Sequence, residues 1–150
     1  MLKVGLGIFG IVLMAALAFA WSRTVQPDVD ALIDGYIAAW FEPDVSKREK
    51  LLAKVFAEKA TYTDERVNIK SHQELAGYIG SVMKNVPAGG VMSVSKAQVH
   101  HGTFRFAWRY ALPDGTVFME GMDFGELSGE GRIQRLVVFA GTLPVRPNVK

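Results

Sequence analysis

The sequence predicts an α+β fold in which three helices precede a curved antiparallel β-sheet, with a hydrophobic helix in front of them. Apolar residues recur every three or four positions in the first half of the chain, which is typical of helices. In the second half they recur every second position, which is typical of strands. The 150 residues fit one domain. We expect the sheet to wrap around the helices, because its other face can remain in water.

The composition excludes several classes of function. The formal charge is +2, from 17 basic and 15 acidic residues, and no basic run exceeds two residues, so we predict no nucleic-acid partner. The chain has no cysteine, which excludes disulfides, thiol nucleophiles and thiolate metal sites. His100 and His101 are adjacent and point to opposite faces of a predicted strand, and no third ligand is evident. We therefore predict no metal site.

The segment VGLGIFGIVLMAALAFAW, residues 4–21, contains no charged or strongly polar side chain. At about 1.5 Å per residue it is just long enough to cross a bilayer core of roughly 30 Å. Two interpretations remain open for residues 1–24: a signal peptide cleaved near Ala20, or an uncleaved signal anchor that holds the chain in the membrane. In both, the domain is exported across the cytoplasmic membrane. It would occupy residues 25–145, and residues 146–150 would form a tail.

Three helices are predicted in order. The first begins after Pro27-Asp28 and carries an apolar stripe made of Val29, Leu32, Ile33, Tyr36, Ile37, Trp40 and Phe41. The second and third are marked by the Ser-x-x-Glu pattern, in which the two side chains satisfy each other's free backbone N–H groups. This pattern predicts that these helices begin at Ser46 and Ser71. The second should end near Lys59 and the third before Pro87.

The strands follow from the period of two. The stretch ATYTDERVNI, residues 60–69, predicts a pair of short strands between the second and third helices. Four longer strands, predicted to form an antiparallel meander, are Val91–Val99, Phe104–Tyr110, Thr116–Leu127 and Ile133–Gly141. Their predicted turns are His100-His101-Gly102, Pro113-Asp114-Gly115 and Ser128-Gly129-Glu130-Gly131.

Asp123 is an unusual residue for a strand, and it lies between two glycines in GMDFGELSGEGRI. Met119, Gly121, Asp123, Gly125 and Leu127 share one face of the predicted strand. If this face is concave, the glycines would leave space beside the carboxylate for a small molecule. Alternatively, Asp123 lies on the outer face in solvent, and the glycines mark a bulge or bend. The pattern alone leaves both interpretations open.

The order of elements resembles that of the nuclear-transport-factor-2-like superfamily, which includes the SnoaL-like polyketide cyclases and the ketosteroid isomerases. The stretches that carry the resemblance are YIAAW, ATYTDE, FRFAW, and GMDFGELSGEGRI followed by VVFAG. Together they span about residues 27–144. The resemblance implies a cone-shaped curved sheet around three helices, a largely apolar pocket inside it, and a homodimer formed through the outer face of the sheet.

The resemblance to the isomerases also implies three catalytic residues. Tyr36 in GYIAAW corresponds to the oxyanion tyrosine, and Asp64 in ATYTD corresponds to the base. Asp123, eight residues before Gly131-Arg132-Ile133, corresponds to the protonated aspartic acid, and the cyclases place an acid/base aspartate at the same position. The proline that commonly follows the base is Glu65 here, which predicts a more polar pocket mouth.

Each of these residues also fits a structural role. Tyr36 lies on the apolar helical stripe, where it could belong to the core. Asp64 lies in a polar loop, where it could brace a turn. The further residues predicted to bind a ligand are Tyr62, His101, Trp108, Gly121, Gly125 and Phe139.

Two functions remain open at this stage. The first is an exported or membrane-anchored domain that binds a small hydrophobic ligand in its pocket. The second is an isomerase, cyclase or lyase that moves a proton next to a carbonyl without a cofactor. In the second, Asp64 is the base, and Tyr36 and a neutral Asp123 donate hydrogen bonds to the enolate oxygen. We expect burial to raise the pKa of Asp123, because it disfavours the charged carboxylate.

Overall fold

A computed structural model of the chain describes residues 27–142. The predicted hydrophobic segment, residues 4–21, and the predicted tail, residues 146–150, lie outside this range. Within the described range, none of the helices combines the length and the apolar character that a membrane crossing requires.

Three helices are present, as predicted. Their bounds are Val29–Phe41 for α1, Val45–Val55 for α2 and His72–Met83 for α3. The predicted helix starts are confirmed for α1 and α3. The carboxylate of Asp28 accepts a hydrogen bond from the Ala31 N–H, at 3.1 Å, and the Ser71 hydroxyl accepts one from the Glu74 N–H, at 3.2 Å. These contacts satisfy backbone donors that have no partner within the helix.

The prediction for α2 is wrong at both ends. The helix begins one residue before Ser46, because Asp44 is the cap and accepts a hydrogen bond from the Lys47 N–H at 2.8 Å. It ends at Val55 rather than near Lys59, and the next residue begins a strand. That strand pairs with the far end of the chain, so long-range pairing overrides the local helical pattern.

Seven strands form one curved mixed sheet. They are β1 Phe56–Thr63, β2 Asn68–Ile69, β3 Val91–Val94, β4 Gln98–His100, β5 Thr103–Ala111, β6 Val117–Leu127 and β7 Ile133–Ala140. The order is β2-β1-β7-β6-β5-β3, and β4 also pairs with β5. The predicted pair of short strands, β1 and β2, is confirmed. The predicted antiparallel meander is confirmed too, since β3 and β4 pair with β5, β5 with β6, and β6 with β7, all antiparallel. The sequence did not predict that β1 extends this sheet by pairing parallel to β7.

The strand predicted over Val91–Val99 is interrupted and forms β3 and β4. Both pieces pair with β5, but the residues between them turn toward α1. There the carboxylate of Asp30 accepts hydrogen bonds from the Ala97 N–H and from the Lys96 ammonium group, each at 2.9 Å. This contact connects the first helix to the sheet.

The three predicted turns are confirmed. The corner between β4 and β5 has positive φ angles of 48° at His101 and 74° at Gly102. Gly115 and Gly131 have φ angles of 85° and 76° in the turns on either side of β6. A glycine accepts this left-handed conformation without steric cost, which accounts for its presence at these positions.

The helices pack against the concave face of the sheet, so the predicted cone-shaped α+β fold is confirmed. The aromatic side chains of β5 face inward, as their spacing predicts, and Phe104, Phe106 and Tyr110 are buried. Arg48 of α2 is also buried, with 5% of its surface exposed. Its guanidinium group donates hydrogen bonds to the carbonyl oxygens of Ala39, at 3.1 Å, Ala76, at 2.8 Å, and Glu42. This single side chain therefore connects all three helices.

Candidate functional site

A cavity of about 110 Å³ lies between the C-terminal parts of α1 and α3 and the concave face of the sheet. Most of its lining is apolar or aromatic, and the ion pair of Glu65 with Arg66, at 3.5 Å, lies exposed at its mouth. The lining residues are Tyr36, Ile37, Trp40, Tyr62, Asp64, Glu65, Arg66, Tyr78, Val82, Met83, Val86, Met92, Trp108, Tyr110, Met119, Asp123, Val138 and Ala140.

Asp123 faces this cavity, and only 1% of its surface is exposed. It lies opposite Phe106 of β5, and the Trp108 indole N–H donates a hydrogen bond to its Oδ1 at 2.6 Å. Burial raises the pKa of Asp123 from 3.8 to about 7, although the Trp108 bond acts in the opposite direction. Asp123 therefore lies on the concave face of the sheet, as one of the two interpretations predicts, and not on the outer face in solvent.

The glycines beside Asp123 do not leave the predicted empty space. Gly121 pairs with Trp108 and Gly125 pairs with Phe104, and in each case the aromatic ring covers the glycine. A side chain at either position would overlap the ring. Neither glycine lines the cavity, because the neighbouring strand fills the volume that the sequence pattern left open.

Tyr36 lies at the cavity with 2% of its surface exposed. Burial, and next the negative charge of Asp123, raise the pKa of its hydroxyl well above the ordinary value. Among residues 27–142, no hydrogen bond joins Tyr36 to Asp123. The two groups that the resemblance pairs as oxyanion donors thus share the cavity without a hydrogen bond between them.

Asp64 braces a turn, as its structural interpretation predicts, and it also lines the cavity. Its Oδ1 accepts the N–H groups of Arg66 and Val67, at 2.8 and 3.0 Å. Its Oδ2 accepts the hydroxyls of Tyr78, at 2.6 Å, and Tyr62, at 3.2 Å. Four donors therefore occupy the lone pairs that a base would use.

Besides the two glycines, two further predicted ligand-binding residues lie away from the cavity. His101 is exposed at the corner between β4 and β5. Phe139 is 57% exposed on the outer face of the sheet, where it packs edge-on against Phe124. Its neighbour Val138 points inward instead, because side chains alternate along β7. Tyr62 and Trp108, by contrast, line the cavity as predicted.

Among solved structures, the chain is similar to a candidate isomerase of the SnoaL-like family from Agrobacterium tumefaciens strain C58. The sequences are 30% identical over 75% of this chain and 96% of that chain, with a TM-score of 0.66. The chain belongs to the SnoaL-like family.

Other solved structures share the fold of this SnoaL-like domain at lower identity. A candidate SnoaL-like polyketide cyclase from Jannaschia sp. CCS1 is 8% identical over 79% of this chain and 89% of that chain, with a TM-score of 0.56. A protein of the nuclear-transport-factor-2-like fold from Exiguobacterium sp. 255-15 is 16% identical over 77% of this chain and 99% of that chain, with a TM-score of 0.54. No family model and no curated protein matches the chain.

Three aromatic residues line the cavity of this SnoaL-like domain but were not predicted as site residues: Trp40, Tyr78 and Tyr110. All three lie on predicted apolar faces, where an aromatic side chain is usually a core residue. The hydroxyl of Tyr110 donates to the Pro87 carbonyl at 2.7 Å, and the hydroxyl of Tyr78 donates to Asp64. The one sequence signal for a site role is a hydroxyl or an indole N–H on an otherwise apolar stripe. The sequence does not show which group forms a hydrogen bond with it.

Proposed function

We propose that this domain binds a small, largely apolar molecule in its cavity and that Asp123 holds one oxygen of that molecule. The observation that carries the proposal is a buried carboxyl group facing an apolar cavity, with a pKa of about 7. Oδ1 is engaged by Trp108, and Oδ2 has no hydrogen-bond partner among residues 27–142. A protonated Oδ2 can donate a hydrogen bond to a carbonyl or hydroxyl oxygen of the ligand.

The lining supports an apolar ligand body. The hydrophobic part includes Ile37, Val82, Met92 and Val138, which offer a ligand no hydrogen bond. Its polar groups are those of Asp123, Asp64, the tyrosines and tryptophans, and the charged pair at the mouth. A ligand with several charges would lose its hydration in this cavity and find few polar groups to replace the water. The free energy lost would exceed what apolar contacts contribute.

Native mass spectrometry of the chain purified from its own source tests the binding proposal. We expect a small molecule to be retained by the wild type and lost in Asp123→Asn, which can no longer alternate between carboxylate and acid. Asp34→Asn, which changes an exposed aspartate of α1, is the matched control and should retain the molecule. Equal retention by all three proteins would contradict the role of Asp123.

Proton transfer next to a carbonyl is the second candidate function. It is favoured by the pKa of Asp123 and by Asp64 in the same cavity, and the Agrobacterium relative carries the description of an isomerase. Asp64 would take the proton from the carbon while Asp123 donates to the oxygen of the forming enolate. Because four donors occupy Asp64, Tyr62 or Tyr78 must first turn away from Oδ2.

Deuterium exchange into a panel of small ketones in heavy water tests this second function. If Asp64 is the base, Asp64→Asn should lower the exchange rate by about 10²–10⁴-fold, the usual contribution of a general base. Glu58→Gln removes an exposed carboxylate of β1 that does not line the cavity and should exchange at the wild-type rate. The absence of exchange with every ketone would rule out the catalytic proposal and leave the binding proposal in place.

We also propose that residues 4–21 direct the domain across the cytoplasmic membrane, because this segment has the length and composition of a signal peptide or signal anchor. The intact mass of the chain from its own host distinguishes cleavage near Ala20 from retention of the anchor. A full-length chain recovered from the soluble cytoplasmic fraction would contradict the proposal.

A further inference from the structure

We infer that the ligand is a compound of single-ring size and that Met119 sets this limit. The inference rests on the proposed binding function and adds the size class of the ligand and the residue that selects it. Three observations carry it: the volume of the cavity, the fixed positions of its aromatic walls, and the flexibility of one remaining wall.

The cavity volume limits the buried part of the ligand. A dry cavity of about 150 Å³ in another protein accommodates benzene, which has six carbon atoms. The cavity here measures about 110 Å³ and opens to solvent beside Arg66. Because it is smaller than that cavity but open on one side, it can bury at most about one six-membered ring, and any substituent must lie outside at the mouth. A ligand of two or more fused rings exceeds this volume.

The aromatic walls cannot move outward to enlarge the cavity. Trp108 is held by its 2.6 Å bond to Asp123 and is seated directly on the backbone of Gly121. Tyr110 is held on two sides: its hydroxyl donates to the Pro87 carbonyl at 2.7 Å and accepts from the Gly90 N–H at 3.1 Å. To displace either ring, a ligand would have to break buried hydrogen bonds, which is costly.

Methionines form the adaptable part of the wall. Met119 of β6 lies on the same strand face as Asp123, four residues earlier, and lines the same cavity opposite Tyr110. A methionine side chain has no branch and can repack around a ligand, unlike an aromatic ring held by hydrogen bonds. No side-chain hydrogen bond of Met119 would be lost when it is shortened, so shortening it should enlarge the cavity while the aromatic walls stay in place.

Three ketones of increasing size test the inference: cyclohexanone, 1-decalone and a four-ring 3-ketosteroid. Each is titrated into the full chain in lipid nanodiscs, with empty nanodiscs as the blank. The readout is indole fluorescence, because Trp40 and Trp108 both line the cavity. We expect the wild type to bind cyclohexanone, to bind 1-decalone at least about tenfold more weakly, and not to bind the steroid.

Met119→Ala should improve 1-decalone binding by at least about tenfold while cyclohexanone binding changes less. The matched control is Met122→Ala on the same strand, whose side chain lies on the outer face and is 36% exposed. Met119→Leu preserves most of the side-chain volume, so it should keep the wild-type preference. It also serves if the alanine variant fails to fold.

Failure of the single-ring limit and failure of the proposed binding function give different results. If the wild type binds the steroid or 1-decalone more tightly than cyclohexanone, the single-ring limit is wrong. If Met119→Ala and Met122→Ala behave alike, Met119 does not set the limit. If no ketone binds to any of the proteins, the proposed binding function fails, and the size limit fails with it.

Discussion

Asp123 is the residue at which the fold and the proposed function meet. Its carboxyl group is surrounded by apolar and aromatic side chains, and the Trp108 indole is its one hydrogen-bond donor among residues 27–142. One donor does not replace the hydration that a carboxylate loses on burial, so the acid form is favoured and the pKa rises to about 7. A group that titrates near neutral pH in an apolar cavity can give or accept a proton under physiological conditions.

The raised pKa of Asp123 predicts that the chain loses stability as the pH rises. Between pH 4 and 7 the folded state holds a proton that the unfolded state has released, so the free energy of unfolding falls through this range. A shift from 3.8 to about 7 corresponds to about 4 kcal/mol, reached once the pH exceeds the folded pKa. Urea unfolding at pH 5 and pH 8 measures the part of this difference between pH 5 and the folded pKa, which is about 3 kcal/mol.

Two variants check the assignment of this pH dependence. Asp123→Asn should remove most of it, because an amide does not titrate. Asp34→Asn, which changes an exposed aspartate, should leave it unchanged. Equal stability of the wild type at pH 5 and pH 8 would show that the buried carboxyl does not titrate between them.

The sequence indicates the three acidic and phenolic site residues but not their contacts. Asp123, Asp64 and Tyr36 are found by resemblance, and the structure brings all three to the cavity. The Trp108 bond to Asp123 and the Tyr78 bond to Asp64 join residues 14 or 15 positions apart on different elements. Such contacts depend on strand register and helix placement, which one sequence does not supply.

At the scale of elements, the glycines of β6 show how a local pattern is misread. A glycine in a strand indicates a close approach, a bulge or an empty space. Here it indicates a close approach, because an aromatic residue of β5 faces each glycine. The alternation along β6 was read correctly from the sequence, whereas its cross-strand partners could not be known before the register of the sheet.

Gly125→Ala should destabilise the chain by about 1–3 kcal/mol, because the added methyl group would overlap the Phe104 ring in a filled core. Gly129→Ala is the matched control, since a methyl group there meets no atom within 4 Å. Urea unfolding of both variants measures the effect. If the two variants are equally stable, the predicted overlap of a methyl group at position 125 with the Phe104 ring is wrong.

Arg48 is the residue whose removal should most affect how the helices are arranged. Arg48→Met keeps an unbranched side chain but leaves three buried carbonyl oxygens without their donor, so we expect a loss of about 2–4 kcal/mol. Lys54→Met on the same helix changes an exposed side chain and should have little effect. Thermal unfolding followed by circular dichroism compares them, and equal melting temperatures would contradict the role of Arg48.

The same Ser-x-x-Glu pattern marks a helix cap in α3 but not in α2. Both Ser46 and Ser71 have glutamate three positions later, yet only Ser71 is a cap. Asp44 lies two residues before Ser46 and caps the helix first. Aspartate and serine are similarly good caps, so neighbouring candidates compete and the packing of the helix decides between them.

At the scale of the whole molecule, the outer face of the sheet has an apolar centre. Met122, Phe124 and Phe139 are 36%, 42% and 57% exposed there. The ion pairs of Arg109 with Glu120 and of Arg135 with Glu126 lie on either side of them. An exposed apolar area framed by charges is typical of an interface.

We therefore expect a homodimer formed through this face, as the family resemblance also implies. Phe139→Glu should raise the dimer dissociation constant by at least about tenfold, because it places a charge at the centre of the interface. Val45→Glu changes a side chain of α2 that is 50% exposed and should leave association unchanged. Sedimentation equilibrium over a range of concentrations measures both. A wild type that sediments as a monomer at every concentration would contradict the dimer.

The cone-shaped fold was predicted from the resemblance, but the pairing of β1 with β7 was not. Local patterns placed two short strands between the second and third helices, and the structure has them there. The first of them, β1, pairs parallel to β7, which joins residues 56–63 to residues 133–140. No local signal encodes a partner so distant in the chain, so the sequence predicted the antiparallel meander correctly but not the strands that extend it.

This parallel pairing also determines when the fold can be completed. Until β7 has been synthesised, β1 has only the two-residue β2 as a neighbour, and the sheet lacks the strand that connects β1 to β6. Folds that depend on such distant pairing form slowly, because a long loop must close before its contacts are gained. The sheet of a growing chain therefore cannot be completed before residues 133–140 have left the ribosome.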